Sequence, residues 1–331
     1  MNEFEFIEKL KNKSSTIRNS QSAFRIGIGD DCAVLPKDAK TNLVITTDLL
    51  IEDIDFRLSW SKPEFIGHKA LAVSLSDVAA MGAKPVWAML SIGVPASVWK
   101  TDFVENFYDG WFRLAKKFDV QLIGGDVSKT PDKIVIDSIT AGEVKKNKAI
   151  LRSGAKVGDL IFVTGNLGGA AAGLKLLESG FSYNSPNKIW QRNLLLKQLK
   201  PFPQVSDGLF ISENNLATAM IDLSDGLSSD LAHLCRASRV GAKIYADKIP
   251  FHKNLRSIAK SIDEKIDCAL NGGEDFELLF TVNPKKSFKA ENILKNRKFF
   301  CIGETTANEG IIELSFENEV KILQPKGFRH F

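Results

Sequence analysis

The sequence predicts an α/β protein of two domains, on three observations. The chain has 331 residues, more than one hydrophobic core usually serves, so two domains of ordinary size are expected. Strand-like and helix-like stretches alternate through both halves, the order that stacks helices on sheets. Between the halves lies "KKNKAILRSGAKVGD" (145–159), basic and glycine-containing. It reads as a junction, which sets the domains at residues 1–147 and 148–331.

Local pattern predicts each element in turn. Residues 3–12 read as a short amphipathic helix, and "LVITTDLLI" (43–51) as a strand. In "SKPEFIGHKALAVSLSDVAAMGAKP" (61–85), Pro63 stands near a helix start and Gly82 with Pro85 at its end. That punctuation predicts a helix over 64–81 carrying Asp77. Phe103, Phe107, Trp111, Ala115 and Phe118 recur at helical spacing and are expected to form core rather than a cofactor box. "VQLIGGD" (120–126) and "KIVIDSITAGEV" (133–144) are rich in β-branched residues and read as strands. The second half continues with strand "DLIFVTG" (159–165), a glycine–alanine helix over 168–180, strand "ATAMIDL" (217–223), a helix near 227–239 and strand "AKIYA" (242–246).

Composition narrows the function classes. Hydrophobic residues make up 44% and charged residues 25%, both typical of folded globular proteins. The 44 basic and 40 acidic residues leave a formal charge of +4, too small and too dispersed for a nucleic-acid platform. Cys32, Cys235, Cys268 and Cys301 form no C-x-x-C pair, so neither a disulfide framework nor a zinc site is indicated. Buried free thiols in a reducing compartment are expected. The opening "MNEFEFIEKLKNKSS" lacks the basic-then-apolar order of a signal peptide. The least polar stretch, "PVWAMLSIGVPASVW" (85–99), contains two prolines and is too short to cross a bilayer. A cytoplasmic protein with neither membrane nor nucleic-acid partners is expected.

Acidic residues gather on glycine turns and strand ends: "GIGDD" (27–31), "TTD" (46–48), "GGD" (124–126), "DLSD" (222–225) and "NGGED" (271–275). From such positions loop groups commonly project into a site. Each motif alone is equally well explained by local capping of turns and helix starts, but five together favour a shared site. Oxygen ligands without His or Cys partners suit Mg²⁺, so a phosphorylated client follows. "SLSDVAAMGA" (74–83) and "DLSDGLSSDLA" (222–232) share Leu-Ser-Asp, a hint that each half supplies a carboxylate. "FVTGNLGGAAAG" (162–173) has the wrong spacing for a dinucleotide fingerprint and no acid about 20 residues on, so it reads as a tight strand-to-helix turn. A Walker A loop and the protein-kinase motifs are absent.

"GIGDDCAVL", "TTDLLIEDIDF", "SLSDVAAMGA", "LIGGDVSK", "LRSGAKVGDLIFVTGNLGGAAAGL", "DLSDGLSSDL", "GGEDFELLF" and the closing "GFRHF" occur in an order that resembles the thiamine-monophosphate kinase family. Several pieces are shared with the wider aminoimidazole ribonucleotide synthetase-like superfamily. The resemblance covers residue 25 to the C-terminus. It implies transfer of the γ-phosphoryl of ATP to thiamine monophosphate with several Mg²⁺ ions. Such transfer needs alignment and charge stabilisation more than a covalent nucleophile, so direct in-line transfer with no phosphoenzyme is expected. It also implies a homodimer in which the N-terminal domains build a shared β-barrel. Position by position, it assigns Asp30, Thr46, Thr47, Asp48, Asp77, Asp126, Asp222 and Asp225 to Mg²⁺. Tyr108, Gly125, Asp126, Arg152 and Ser224 fall to ATP, and Glu274 and Phe328 to the acceptor substrate. Asp55 stands where the family usually has a substrate-touching His, and Asp53 where it usually has Gly, which puts acceptor affinity and identity in question.

Read from the residues alone, Arg152 is better explained as a solvated linker charge among Lys145, Lys146, Lys148 and Lys156. Tyr108 is equally a packing residue, and Phe328 equally a packed tail. Two rival functions are an ATP-dependent ligase or dehydratase of the same superfamily and a non-catalytic nucleotide-binding scaffold.

Overall fold

The structure is a computed structural model that describes residues 3–15, 25–185, 188–289, 294, 296–317 and 319–328. After helix α1 (Glu3–Ser15), β1 (Ala33–Pro36), β2 (Thr41–Ile51), β3 (Lys84–Pro95), β4 (Gln121–Thr130) and β5 (Val135–Lys145) form a five-stranded sheet in the order β1-β2-β5-β3-β4. Its neighbours run antiparallel except β3 with β4. A second sheet of seven strands comes from β6 (Leu160–Thr164), β7 (Ala217–Asp222), β8 (Gly241–Tyr245), β9 (Leu278–Val282), β10 (Phe299–Thr306), β11 (Ile312–Phe316) and β12 (Glu319–Ile322). Their order is β12-β11-β8-β10-β6-β9-β7. The helices are α2 (Pro63–Ala80), α3 (Ala96–Trp99), α4 (Phe103–Phe118), α5 (Gly169–Glu178), α6 (Ile189–Leu199), α7 (Val205–Glu213), α8 (Leu227–Ser238), α9 (Ile262–Asn271) and α10 (Pro284–Lys289).

The helix expected over 64–81 is α2, and its all-round apolar surface places it at the centre. It packs against α4, β2 and β5 of its own half and against α7 and β7 of the other, in a core that joins Ile66, Phe107 and Trp111 to Met220 and Phe280. Contact with α4 is close because each helix offers glycine at the crossing. A Cβ on Gly67 would lie 1.8 Å from the Phe107 carbonyl oxygen, and one on Gly110 would lie 1.9 Å from that of Glu64. The aromatic stripe of 103–118 is core, with Phe107 and Trp111 fully buried. The apolar stretch 85–99 is largely β3. Its two prolines sit at the strand's ends, where a missing N–H is tolerated.

Strand alternation sorts β2 onto two faces. Thr46, Asp48 and Leu50 face α2, while Thr47 and Leu49 face the uncovered side of the sheet, where they are exposed. The junction threads between the halves: Ile150 N donates to Met81 O at 3.1 Å, and Met220 N donates to Leu151 O at 2.9 Å.

Candidate active site

Three carboxylates converge between the halves. Asp31 follows the Gly29 turn, Asp77 lies in the last turn of α2, and Asp222 ends β7; one oxygen of each lies within 4.8 Å of the other two. The α2-facing side of β2 adds Thr46, whose Oγ1 donates to Asp77 Oδ2 at 2.5 Å. Ser76 Oγ donates to Asp222 Oδ2 at 2.7 Å. Ser76 and Asp77 of the first Leu-Ser-Asp meet Asp222, the residue just before the second at 223–225. Asp30 accepts from the Arg152 backbone N at 3.1 Å. Arg152 Nε and Nη2 donate to Asp31 Oδ1 at 3.2 and 2.7 Å, so its guanidinium is neither a solvated linker charge nor directed away from the acids.

Electrostatics show how costly this gathering is without a cation. Burial, with Asp31 adding repulsion, pushes Asp222 up to about 8, and the same two causes push Asp30 up to about 7. Burial followed by Asp48 and Asp222 holds Asp77 well above the usual carboxylate range. Asp48 is raised to about 6 by burial, against a lowering hydrogen bond from Ser74. Oδ2 of Asp31 and Oδ2 of Asp48 are buried with no hydrogen-bond partner among the described residues. Orphaned, all-oxygen donors at this spacing fit a hard divalent ion such as Mg²⁺.

Beside the carboxylates opens a cleft of about 550 Å³ lined from both halves. Asp48, Asp55, Ser224, Asp225, Glu274 and Phe328 all reach it, as do Arg57, Trp60 and Lys69. The loop after β7 is shaped by Gly226 at φ +112°. Asp230 fixes it by accepting from the backbone N of Asp225 at 3.2 Å and of Gly226 at 3.0 Å. Burial and Asp225 raise Asp230 well above its ordinary value. In "NGGED" the two acids divide. Glu274, in the left-handed region at φ +64°, faces the cleft, whereas Asp275 caps α5 through Gly168 N at 2.6 Å and Ala170 N at 3.1 Å. The glycine motif of 162–173 is the tight strand-to-helix turn expected of it, with Gly165 and Gly168 at φ +58° and +80°.

Asp55 Oδ2 accepts from the Ile51 backbone N at 2.7 Å, which ties its carboxylate into its own turn at the cleft's rim. Lys326 N and Gly327 N donate to Ser228 Oγ and Ser229 Oγ at 3.2 and 3.0 Å, strapping the chain beside α8 and presenting Phe328. The last three residues of "GFRHF" lie outside the described residues.

Four expected site residues stand apart from both the converging carboxylates and that cleft. Tyr108 is half-buried on α4 against Phe107 and Phe112, and burial raises its phenol. Gly125 and Asp126 lie exposed on the edge strand β4. Thr47 donates to Asp137 Oδ1 at 2.6 Å. Leu49, Asp137, Ser91 and Asp126 stand in register across β2, β5, β3 and β4, so Thr47 and Asp126 share the open face opposite the converging acids. Sequence reasoning missed Asp31, Ser76 and Lys69. The Asp-Asp doublet was the available signal for Asp31, and only the fold reveals the other two.

Residues 29–144 match the N-terminal domain of AIR synthase related protein, and residues 156–314 match its C-terminal domain. That defines the class, a two-domain AIR synthase-related α/β protein. The chain is 42% identical to the thiamine-monophosphate kinase of Buchnera aphidicola subsp. Schizaphis graminum, over 100% of this chain and 99% of that protein. It is 37% identical to the thiamine-monophosphate kinase of Bacillus subtilis, with 100% of both covered. Its fold matches the structure of AaThiL complexed with AMPPCP and TMP at a TM-score of 0.85 and 32% identity, covering 100% of this chain and 97% of that one. The chain belongs to the thiamine-monophosphate kinase family.

Proposed function

We propose that this chain transfers the γ-phosphoryl group of ATP to thiamine monophosphate, giving thiamine diphosphate and ADP. The observation that carries the reading is the meeting of Asp31, Asp77 and Asp222 from both halves within 4.8 Å, beside a cleft large enough for a phosphorylated ligand. Donor and acceptor are both anions, and two unit charges 4 Å apart repel by ~4 kcal/mol at an effective dielectric of about 20. Mg²⁺ bound by Asp30, Asp31, Thr46, Asp48, Asp77, Asp222 and Asp225 would supply the neutralisation; Thr47 and Asp126, which the resemblance adds, lie on the open face opposite these acids. Arg152 locks Asp30 and Asp31 in place and with Ser224 forms the nucleotide side, to which the family resemblance adds Tyr108, Gly125 and Asp126, residues that lie apart from this cleft. Glu274, Phe328 and the turn carrying Asp55 form the acceptor side.

The acceptor phosphate oxygen is ionised near neutral pH and attacks the γ-phosphorus in line as the bond to the ADP oxygen breaks, so alignment matters more than a general base or a covalent nucleophile. Residues 1–147 serve as the Mg-ATP and dimerisation domain, and residues 148–331 as the second domain, in a cytoplasmic homodimer. Support for the dimer is the uncovered sheet face and edge with exposed Leu49, Met89, Ile123 and Val127, together with Phe6 and Leu10 of α1; a second copy pairing there closes the barrel. No helix among the described residues is long and apolar enough to cross a membrane. The test is incubation with ATP, Mg²⁺ and thiamine monophosphate: thiamine diphosphate and ADP in equal amounts are expected. ADP formed only with an amide-type acceptor moves the assignment to a ligase, and binding without turnover moves it to a scaffold.

A further inference from the structure

The cleft's most deeply buried cation belongs to no motif singled out in the sequence. Lys69 lies on α2 with its side chain only 5% exposed, in a helix whose Ile66 and Ala70 belong to the core. Its Nζ donates to the backbone carbonyl of Asp55 at 2.9 Å and pairs with Glu274 Oε1 at 2.5 Å. Gln198 Nε2 of α6 donates to the other oxygen, Glu274 Oε2. Glu274 N in turn donates to Ser224 O at 2.8 Å. One ammonium therefore ties the 51–56 turn of the first half to the 272–276 loop of the second, and Asp55, Lys69, Gln198 and Glu274 all line the same cleft.

Two features make this a matter of positioning rather than of bulk stability. Glu274 holds a left-handed backbone at φ +64° that costs a non-glycine residue of order 1 kcal/mol and persists only when its surroundings enforce it. Lys69 and Gln198 supply that enforcement by claiming one carboxylate oxygen each, which fixes the rotamer as well as the backbone. Burial of the ammonium is offset by two partners that both belong to the substrate-facing loops, so the charge is spent on loop placement.

We propose that Lys69 is a positioning residue for the acceptor substrate: it sets the Glu274 carboxylate and the Asp55 turn at the spacing that receives a phosphomonoester bearing a cationic heterocycle. The proposal rests on the kinase reading above. It makes Lys69 and Glu274 one unit, so their substitutions are not independent for acceptor binding and leave the nucleotide side alone.

The experiment is a double-mutant cycle on Lys69→Met and Glu274→Gln, read by steady-state kinetics and by calorimetric titration of thiamine monophosphate. Each single variant is expected to raise the KM and the Kd for the acceptor by about tenfold or more, with the KM for ATP unchanged. The double variant is expected to be no worse than the weaker single one. Lys69→Arg, which keeps the charge, is expected to recover part of the affinity. If Lys69→Met does not fold, Lys69→Gln takes its place, since it can still donate to the Asp55 carbonyl without pairing with Glu274. Multiplicative losses in the double variant, or a KM for ATP that rises in step with that for the acceptor, overturn the proposal. A wild-type protein that makes no thiamine diphosphate while the Glu274 coupling in the binding titration persists overturns the kinase reading instead.

Discussion

Replacing Asp222 by Asn should stabilise the metal-free protein while removing its activity. Asp222 has an ordinary value of 3.8 and sits at about 8 in the fold. At pH 7 that gap corresponds to 7 − 3.8 = 3.2 units, on the order of 4 kcal/mol at 1.36 kcal/mol per unit. Asp31 and Asp77 lie within 4.8 Å, so the cost belongs to the trio, and deleting one charge should recover about 1–3 kcal/mol of it. The sign follows from proton binding. The folded carboxyl keeps a proton that the unfolded chain has lost, so the penalty is absent below pH 3.8, grows with rising pH and is complete above about 8. Asn retains an oxygen to accept from Ser76 Oγ, so no hydrogen bond need be lost.

Urea melts in chelator from pH 5 to 9 should show wild-type stability falling with pH and the variant falling by up to one proton's slope less, about 1.4 kcal/mol per pH unit. At pH 8 the variant should be the more stable protein. Excess Mg²⁺ should stabilise wild type far more than the variant. A variant that is less stable at pH 8 in chelator, or that keeps the wild-type pH slope, refutes the electrostatic account of the trio.

Arg152→Met leaves the fully buried Asp31 side chain without its cation and should cost about 3–5 kcal/mol, seen as a lower urea midpoint. Gly67→Ala forces a Cβ to within 1.8 Å of the Phe107 carbonyl oxygen and should destabilise by at least the ~1–3 kcal/mol typical of overpacking, measurable in the same melts. On the acid side, burial pushes His68 down to about 4 from an ordinary 6.5. Its unfolded form gains a proton that the fold refuses, so this contribution is full above pH 6.5 and is lost as pH falls toward 4; His68→Gln should flatten that limb. Ile123→Lys on the exposed edge β4 should break the proposed homodimer and leave a monomer in light scattering.

Much of the fold was legible because its signals are local. Pro63 and Gly82 bracket α2, and the spacing of Phe103, Phe107, Trp111 and Ala115 marks the buried face of α4. β3 was harder to read: buried between neighbours, it reads as a continuous apolar run without alternation, and its prolines mask the strand. Within the site, acids at strand ends and glycine turns announced a shared centre. Which of Asp30 and Asp31 turns inward depends on Arg152, 121 residues from Asp31. Nothing in the sequence singles out Lys69, because its partners at positions 55 and 274 meet only in the folded chain.

The central claim is that carboxylates from both halves jointly hold divalent cations where the two phosphates meet. Crystals grown with Mn²⁺, a non-hydrolysable ATP analogue and thiamine monophosphate test it through anomalous difference density. Peaks coordinated by Asp31, Asp77 and Asp222, with the nucleotide's terminal phosphate directed into the cleft, are the expected result. Peaks on other residues, with these three acids left protonated and bonded to one another, would contradict it.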